Sequence, residues 1–167
     1  MVNVAAMIGL PPQPQSRPLQ RSTARFAMSA SGPDGEAPET GSAAGRWRGL
    51  SGRRILIVED EAMLALDLEF AFEDAGAQVV GPAVSLDQAM ALVSGVADID
   101  AAVLDVDIAG QPVLPVAQAL SAAGVPFVFH TGHGDRIDLL ARFPRARLLM
   151  KPVLTDRLIA EVVSLLG

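Results

Sequence analysis

Four short apolar runs in this chain each end in residues that carry chemistry, and this repetition constrains the fold more than any other feature. Ile55-Leu56-Ile57-Val58 ends in Glu59-Asp60, Ala102-Val103-Leu104 in Asp105, Phe127-Val128-Phe129 in His130-Thr131, and Leu148-Leu149-Met150 in Lys151-Pro152. Unbroken apolar runs of this length are what strands buried on both faces look like. Ligands of parallel sheets bind beyond the carboxyl ends of the strands. If the four runs lie in one parallel sheet, their ends bring carboxylates, a hydroxyl and an ammonium into one crevice, and that combination suits a phosphate and Mg²⁺.

The segments between the runs carry helical spacing, so the chain alternates strand and helix from Arg53 onward. Glu61–Ala75 predicts a helix with Met63, Leu66 and Phe70 facing inward and Gly76 as its stop. Gln78–Val80 predicts a second strand, followed by a helix capped by Ser85 with Leu86, Ala89, Met90 and Val93 on one face. Pro115 suits the first turn of a helix that ends at Gly124. A short, arginine-bearing helix is expected within Asp135–Phe143. Thr155 is expected to cap a last helix with Leu158, Ile159, Val162, Val163 and Leu166 facing in. Five strands alternating with five helices predict a doubly wound parallel α/β sheet.

Residues 1–52 read differently. Pro11-Pro12, Pro14 and Pro18, then a Ser-, Gly-, Ala- and Pro-rich stretch from Ser29 to Gly45, show neither strand nor helix period and predict a disordered extension. Arg17, Arg21 and Arg25, with no acid among the first thirty residues, loosely resemble a transit peptide. The alternatives are a flexible tail or a segment upstream of a start at Met28. A secretory signal does not fit, because no basic residue precedes the apolar stretch Val2–Leu10. The folded domain is expected over residues 53–167.

Charge is unevenly shared. Residues 1–50 carry five arginines and three acids, a balance of +2, whereas residues 51–167 carry eight basic residues and sixteen acids, a balance of −8. An acidic domain without a basic stripe argues against nucleic-acid binding. No apolar run approaches the roughly 18 residues of a membrane span, which with the absence of cysteine leads to the expectation of a cytoplasmic protein.

Only one of the thirteen basic residues is a lysine, Lys151. In a chain that otherwise uses arginine, it marks a place for a compact point charge on a flexible stem. Among the acids, Asp60 and Asp105 are candidate direct Mg²⁺ ligands, with Glu59 acting through water. Carboxylates clustered without a cation repel one another. Asp105, central in the sheet, is the candidate nucleophile, since a carboxylate can attack phosphorus to give an aspartyl-phosphate. Thr131 can donate a hydroxyl to one phosphoryl oxygen and Lys151 can pair with another. His130 and His133 do not make a zinc site, because no further histidine or cysteine completes it.

Four motifs together resemble the receiver domain of two-component response regulators: Ile-Leu-Ile-Val-Glu-Asp-Glu at 55–61, Val-Leu-Asp-Val-Asp at 103–107, Phe-His-Thr-Gly at 129–132 and Met-Lys-Pro at 150–152. The resemblance covers residues 53–167. It implies a flavodoxin-like sheet of order 2-1-3-4-5 and an Mg²⁺-dependent receiver phosphorylated on Asp105 by a histidine kinase or phosphotransfer protein. It further implies Mg²⁺ held by Glu59, Asp60, Asp105 and the backbone carbonyl of Asp107. Thr131 falls on the switch hydroxyl, Lys151 on the phosphate-pairing lysine, and Pro152 on a residue commonly in a cis peptide. Gly110-Gln111-Pro112 through Pro115-Val116-Ala117, with the Phe-x-Thr-Gly run, is similar to stand-alone receivers found mainly in alphaproteobacteria.

Two departures stand out. The place three residues before the lysine, where many receivers carry Tyr or Phe, holds Leu148, and the chain has no tyrosine. His133, two residues after Thr131, and Asp107, two after Asp105, flank the family's path for hydrolytic water. They are expected to set the lifetime of the phosphoryl group.

The resemblance implies a signalling module rather than an enzyme. Asp105-Val106-Asp107 also resembles the nucleophile motif of haloacid-dehalogenase-type phosphatases. In that family further acids follow the lysine, and here only Asp156 and Glu161 do. A receiver-like interaction module without phosphorylation is the other alternative. With the sequence ending where the fifth helix should finish, output is expected through a downstream protein partner, a relay or a phosphate sink. Phosphorylation-dependent contact is expected on residues 132–148 and the last helix, where Arg136, Arg142, Arg145 and Arg147 form a basic edge.

Overall fold

The computed structural model describes residues 47–96, 98–132 and 137–167. Most of the expected extension, together with His133 and Arg136, lies outside the described residues. Strands β1 (Arg54–Val58), β2 (Gln78–Ala83), β3 (Ala101–Asp105), β6 (Phe127–Thr131) and β7 (Arg147–Met150) form one sheet in the order β2-β1-β3-β6-β7. Every pairing in it is parallel. Counting only these five strands, the order is the expected 2-1-3-4-5. A two-stranded antiparallel hairpin, β4 (Asp107–Ile108) with β5 (Gln111–Pro112), follows β3. The helices are α1 (Ala62–Asp74), α2 (Leu86–Gly95), α3 (Leu114–Ala122), α4 (Ile137–Arg142) and α5 (Thr155–Leu166).

Strand side chains alternate between two apolar layers, which is why the runs need no polar positions. Leu56, Val58, Ala102, Leu104 and Phe129 pack with Ala89 of α2 and Val116, Ala117 and Leu120 of α3. Ile55, Ile57, Ala101, Val103 and Val128 pack on the other face with Leu68 and Phe72 of α1 and Leu158, Ile159 and Val162 of α5. Phe127, Phe129 and Phe143 meet edge to face, with ring centroids 5.2–5.8 Å apart, so half of the six phenylalanines serve one layer. β2 runs three residues beyond the expected Val80 because Gly81, at φ 104°, lets it bend past β1. A Cβ there would lie 2.8 Å from the Ala83 nitrogen and 2.9 Å from the Ile57 oxygen.

The inward face expected for α1 is corrected. Met63, Leu66 and Phe70 are exposed, and Ala65, Leu68 and Phe72 are buried. Both triplets have the same i, i+3, i+7 spacing. They are offset by two positions, or about 200° around the helix, so periodicity alone does not choose between them. Ser85 caps α2 as expected, accepting from the Gln88 nitrogen at 3.3 Å. Thr155 is the first residue of α5 rather than its cap, a place taken by Leu154 without a side-chain cap bond.

The packed unit also begins earlier than residue 53. A 3₁₀ turn, Arg48–Leu50, buries Leu50 completely in the layer of α1 and α5, and Trp47 packs against the same layer. No helix among the described residues is long and apolar enough to cross a membrane.

Candidate functional site

The polar residues that end β1, β3, β6 and β7 converge at the carboxyl edge of the sheet. Parallel register sets them level: Val58 pairs with Leu104, Asp105 with His130, and Thr131 with Met150. Glu59 after Val58, Thr131 after His130 and Lys151 after Met150 therefore come to the same edge as Asp105. Lys151 follows β7 directly, and its backbone nitrogen donates to the Thr131 carbonyl at 2.7 Å, which carries the β6–β7 pairing up to the site.

The Lys151 ammonium joins two carboxylates. Its Nζ donates to Glu59 Oε1 at 2.9 Å and Oε2 at 2.7 Å, and to Asp105 Oδ2 at 2.6 Å. Asp105 Oδ1 accepts from the Asp107 backbone nitrogen at 3.3 Å. Glu59 is 1% exposed and Asp105 9%, while Asp60 lies on the surface. One carboxylate oxygen from each of Glu59, Asp60 and Asp105 falls within 4.8 Å of the others. Three hard oxygen donors at this spacing, one of them exposed, fit Mg²⁺. Asp107 follows Asp105 by two residues, at the start of the hairpin.

Burial sets the charge states. Burial pushes Glu59 above the usual carboxylate range, against the hydrogen bond and charge of Lys151, which pull it down. Burial pulls Lys151 downward, but its hydrogen bonds and charge pairing with Asp105 and Glu59 outweigh that and leave it raised, so the ammonium persists. Among the described residues, one ammonium therefore serves two buried carboxylates.

Thr131 is fully buried at the end of β6. Leu148, three residues before Lys151, is half-buried against the layer containing Phe127 and Phe129. Asp107 does not point into the crevice: its Oδ1 accepts from the Gly110 nitrogen at 2.8 Å, inside the hairpin turn. Two features escaped the sequence reading. Asp60 Oδ2 accepts from the Ala109 nitrogen at 2.9 Å, linking the β1 end to the hairpin. His130, 3% exposed, has no hydrogen-bond partner at either ring nitrogen among the described residues. Burial, and secondarily the charge of Lys151, lower it to about 4 despite Asp105, so it is neutral. Its place after an apolar run was the available signal, since a strand-end residue shares the strand's burial.

No protein-family model and no curated protein matches the chain. Among solved structures, a response regulator receiver protein from Sinorhizobium medicae WSM419 is 31% identical over 69% of this chain and 94% of its own, with a TM-score of 0.61. SdrG from Sphingomonas melonis Fr1 is 39% identical over 71% of this chain and 97% of its own, with a TM-score of 0.58. The receiver domain of the PhyR response regulator from Erythrobacter litoralis shares the fold at 23% identity, over 70% of this chain and 91% of its own, with a TM-score of 0.61. Sheet order and acidic crevice define a flavodoxin-like α/β domain with its ligand edge at the strand ends. The chain belongs to the response regulator receiver family.

Proposed function

We propose that this receiver accepts a phosphoryl group on Asp105 from a phosphohistidine of a histidine kinase or phosphotransfer protein. The observation that carries the reading is Asp105 itself. It ends the central strand nearly buried, is held by Lys151 at 2.6 Å, and lies within ligand distance of Glu59 and Asp60. A carboxylate oxygen of Asp105 attacks phosphorus in line as the P–N bond breaks, and the electron pair of that bond leaves with the donor imidazole. Glu59, Asp60, Asp105 and the Asp107 carbonyl would hold Mg²⁺, which when bound neutralises charge on the phosphoryl oxygens. Lys151 keeps its ammonium for one phosphoryl oxygen, and the Thr131 hydroxyl donates to another.

The product adds roughly −1.5 to −2 charges to the crevice. It shifts the domain only through contacts that differ between two states, here those of Thr131 and Lys151. Leu148 follows Thr131 by repacking rather than by the rotation of an aromatic ring. The apolar stripe of Met63 (69% exposed), Leu66 and Phe70 (61% exposed) on α1, the helix that follows the acidic pair, supports docking of a helical phosphodonor partner. The module signals in the cytoplasm through protein contacts, as a relay or a phosphate sink, rather than by turning over a substrate.

Incubation of purified protein with acetyl phosphate and Mg²⁺, followed on phosphate-affinity gels, tests the reading. A retarded band is expected that needs Mg²⁺ and disappears in Asp105→Asn. A wild-type protein that forms no band, and whose spectrum is unmoved by beryllofluoride with Mg²⁺, would sink it and favour an interaction module without phosphorylation.

A further inference from the structure

We propose that the Ala109–Gly110 turn of the β4–β5 hairpin is a positioning element for the cation site, fixing the Asp60 carboxylate through the Ala109 N–H. This inference rests on the reading of Glu59, Asp60 and Asp105 as the Mg²⁺ ligands.

Asp60 is the exposed member of the triad, on the loop after β1, and a carboxylate there has free rotamers unless something holds it. The holder comes from 49 positions along the chain, as the Ala109 nitrogen donates to Asp60 Oδ2 at 2.9 Å. Ala109 is an alanine at φ 52°, followed by Gly110 at φ 80°. Both turn residues lie in the left-handed region, where glycine and asparagine are at ease and alanine is not. This unfavourable conformation is maintained from three sides. Ile108 is 1% exposed in the core, the Val113 nitrogen donates to the Val106 carbonyl at 2.9 Å, and Asp107 Oδ1 accepts from Gly110 at 2.8 Å.

The hairpin is thus anchored in the apolar layer of α2 and α3 and offers its N–H from a fixed place. A donor to one oxygen of a metal-ligating carboxylate orients the other oxygen, and losing such a partner typically weakens metal affinity about 10- to 100-fold. Asp107 acts here through its side chain, as a brace for the turn.

The test uses Mg²⁺ itself, titrated calorimetrically into the full chain without phosphodonor. Gly110→Val places a β-branched residue at φ 80°, where a Cβ meets nothing within 4 Å, so it disturbs the turn without a clash. It is expected to weaken Mg²⁺ binding about tenfold. Ala109→Gly keeps the N–H, relaxes the turn and is expected to bind at least as tightly as wild type. A folded Gly110→Val protein with wild-type affinity overturns the proposal. If that variant does not fold, the Ala109 amide proton decides: it is expected to move upfield in Asp60→Ala, and an unmoved resonance overturns the proposal equally. Wild type that binds no Mg²⁺ overturns the metal reading itself. Wild type that binds and is phosphorylated, with variants indistinguishable from it, overturns the turn's role alone.

Discussion

The two ends of the sheet each carry a charge cluster closed by a 2.6 Å contact, and they solve the problem of a charge at a strand end in opposite ways. At the amino edge Arg53 pairs with Asp100 near solvent. Asp100 also accepts from the Arg54 backbone nitrogen at 2.8 Å, so each oxygen has a donor. At the carboxyl edge Lys151 is shared between Glu59 and Asp105, both nearly buried, with Asp60 alongside and, paired with Asp105 across the sheet, a His130 whose ring has no partner among the described residues. The amino edge holds its carboxylate below the ordinary range and the carboxyl edge holds Glu59 above it. One end is a finished structural lock. The other keeps unsatisfied charge and polarity that a cation and a phosphoryl group can use.

The largest effect expected from this contrast is at Lys151. Lys151→Met leaves two buried carboxylates with no counter-charge and should cost about 3 kcal/mol in metal-free protein at pH 7. The pH sign follows from Glu59. Its folded pKa is raised, so its contribution to stability is present below 4.5 and is lost as pH rises through the folded value. The Lys151→Met deficit should therefore shrink in acid, and Mg²⁺ should restore part of it at pH 7. Urea unfolding in EDTA and in Mg²⁺ measures both, and a deficit under about 0.5 kcal/mol would mean the carboxyl edge is not strained.

His130 comes next. Its folded pKa of about 4 lies below the ordinary 6.5, so its stabilising contribution is present above 6.5 and is lost as pH falls toward 4. The gap corresponds to about 3 kcal/mol. His130→Leu should remove this acid sensitivity and, by deleting two unpartnered buried nitrogens, gain about 1 kcal/mol at pH 7. Parallel pH–stability curves for wild type and variant would contradict the burial argument.

How much of this was legible follows from particular residues. The sheet could be read because β1, β3 and β6 are buried on both faces, so their sequence is apolar without interruption and ends abruptly in Glu59, Asp105 and Thr131. Convergence of the strand-end residues then needed only the parallel order. The hairpin was invisible because its turn is Ala109-Gly110, whereas the pair that advertises such a turn is Asn-Gly or Asp-Gly. The α1 face was misread because Met63, Leu66 and Phe70 mimic the spacing of the buried Ala65, Leu68 and Phe72. Only the sheet beneath decides between them. Leu50 was missed because a single apolar residue in a polar stretch has no period to reveal it.

The smallest expected effects belong to the amino edge, and their smallness is what makes the comparison sharp. Backbone hydrogen bonding from Arg54, helped by Arg53 and opposed by slight burial, lowers Asp100. Its stabilisation is present above the unfolded value near 3.8 and is lost as pH falls through the folded one. Asp100→Asn keeps an oxygen for the Arg54 N–H, so the change removes charge rather than geometry. With Arg53 about half exposed, the Arg53→Ala and Asp100→Asn double-mutant cycle should give a coupling of about 0.5 kcal/mol. Salt at 1 M shortens the screening length to roughly 3 Å and should abolish that coupling. The cost of Lys151→Met should survive sodium chloride better, because Glu59 and Asp105 are nearly buried and buried charges are screened less than surface ones. A coupling near 2 kcal/mol that resists salt would place Arg53–Asp100 in the same physical class as the carboxyl-edge cluster. The asymmetry between a locked end and a charged, unfinished end would then have to be abandoned.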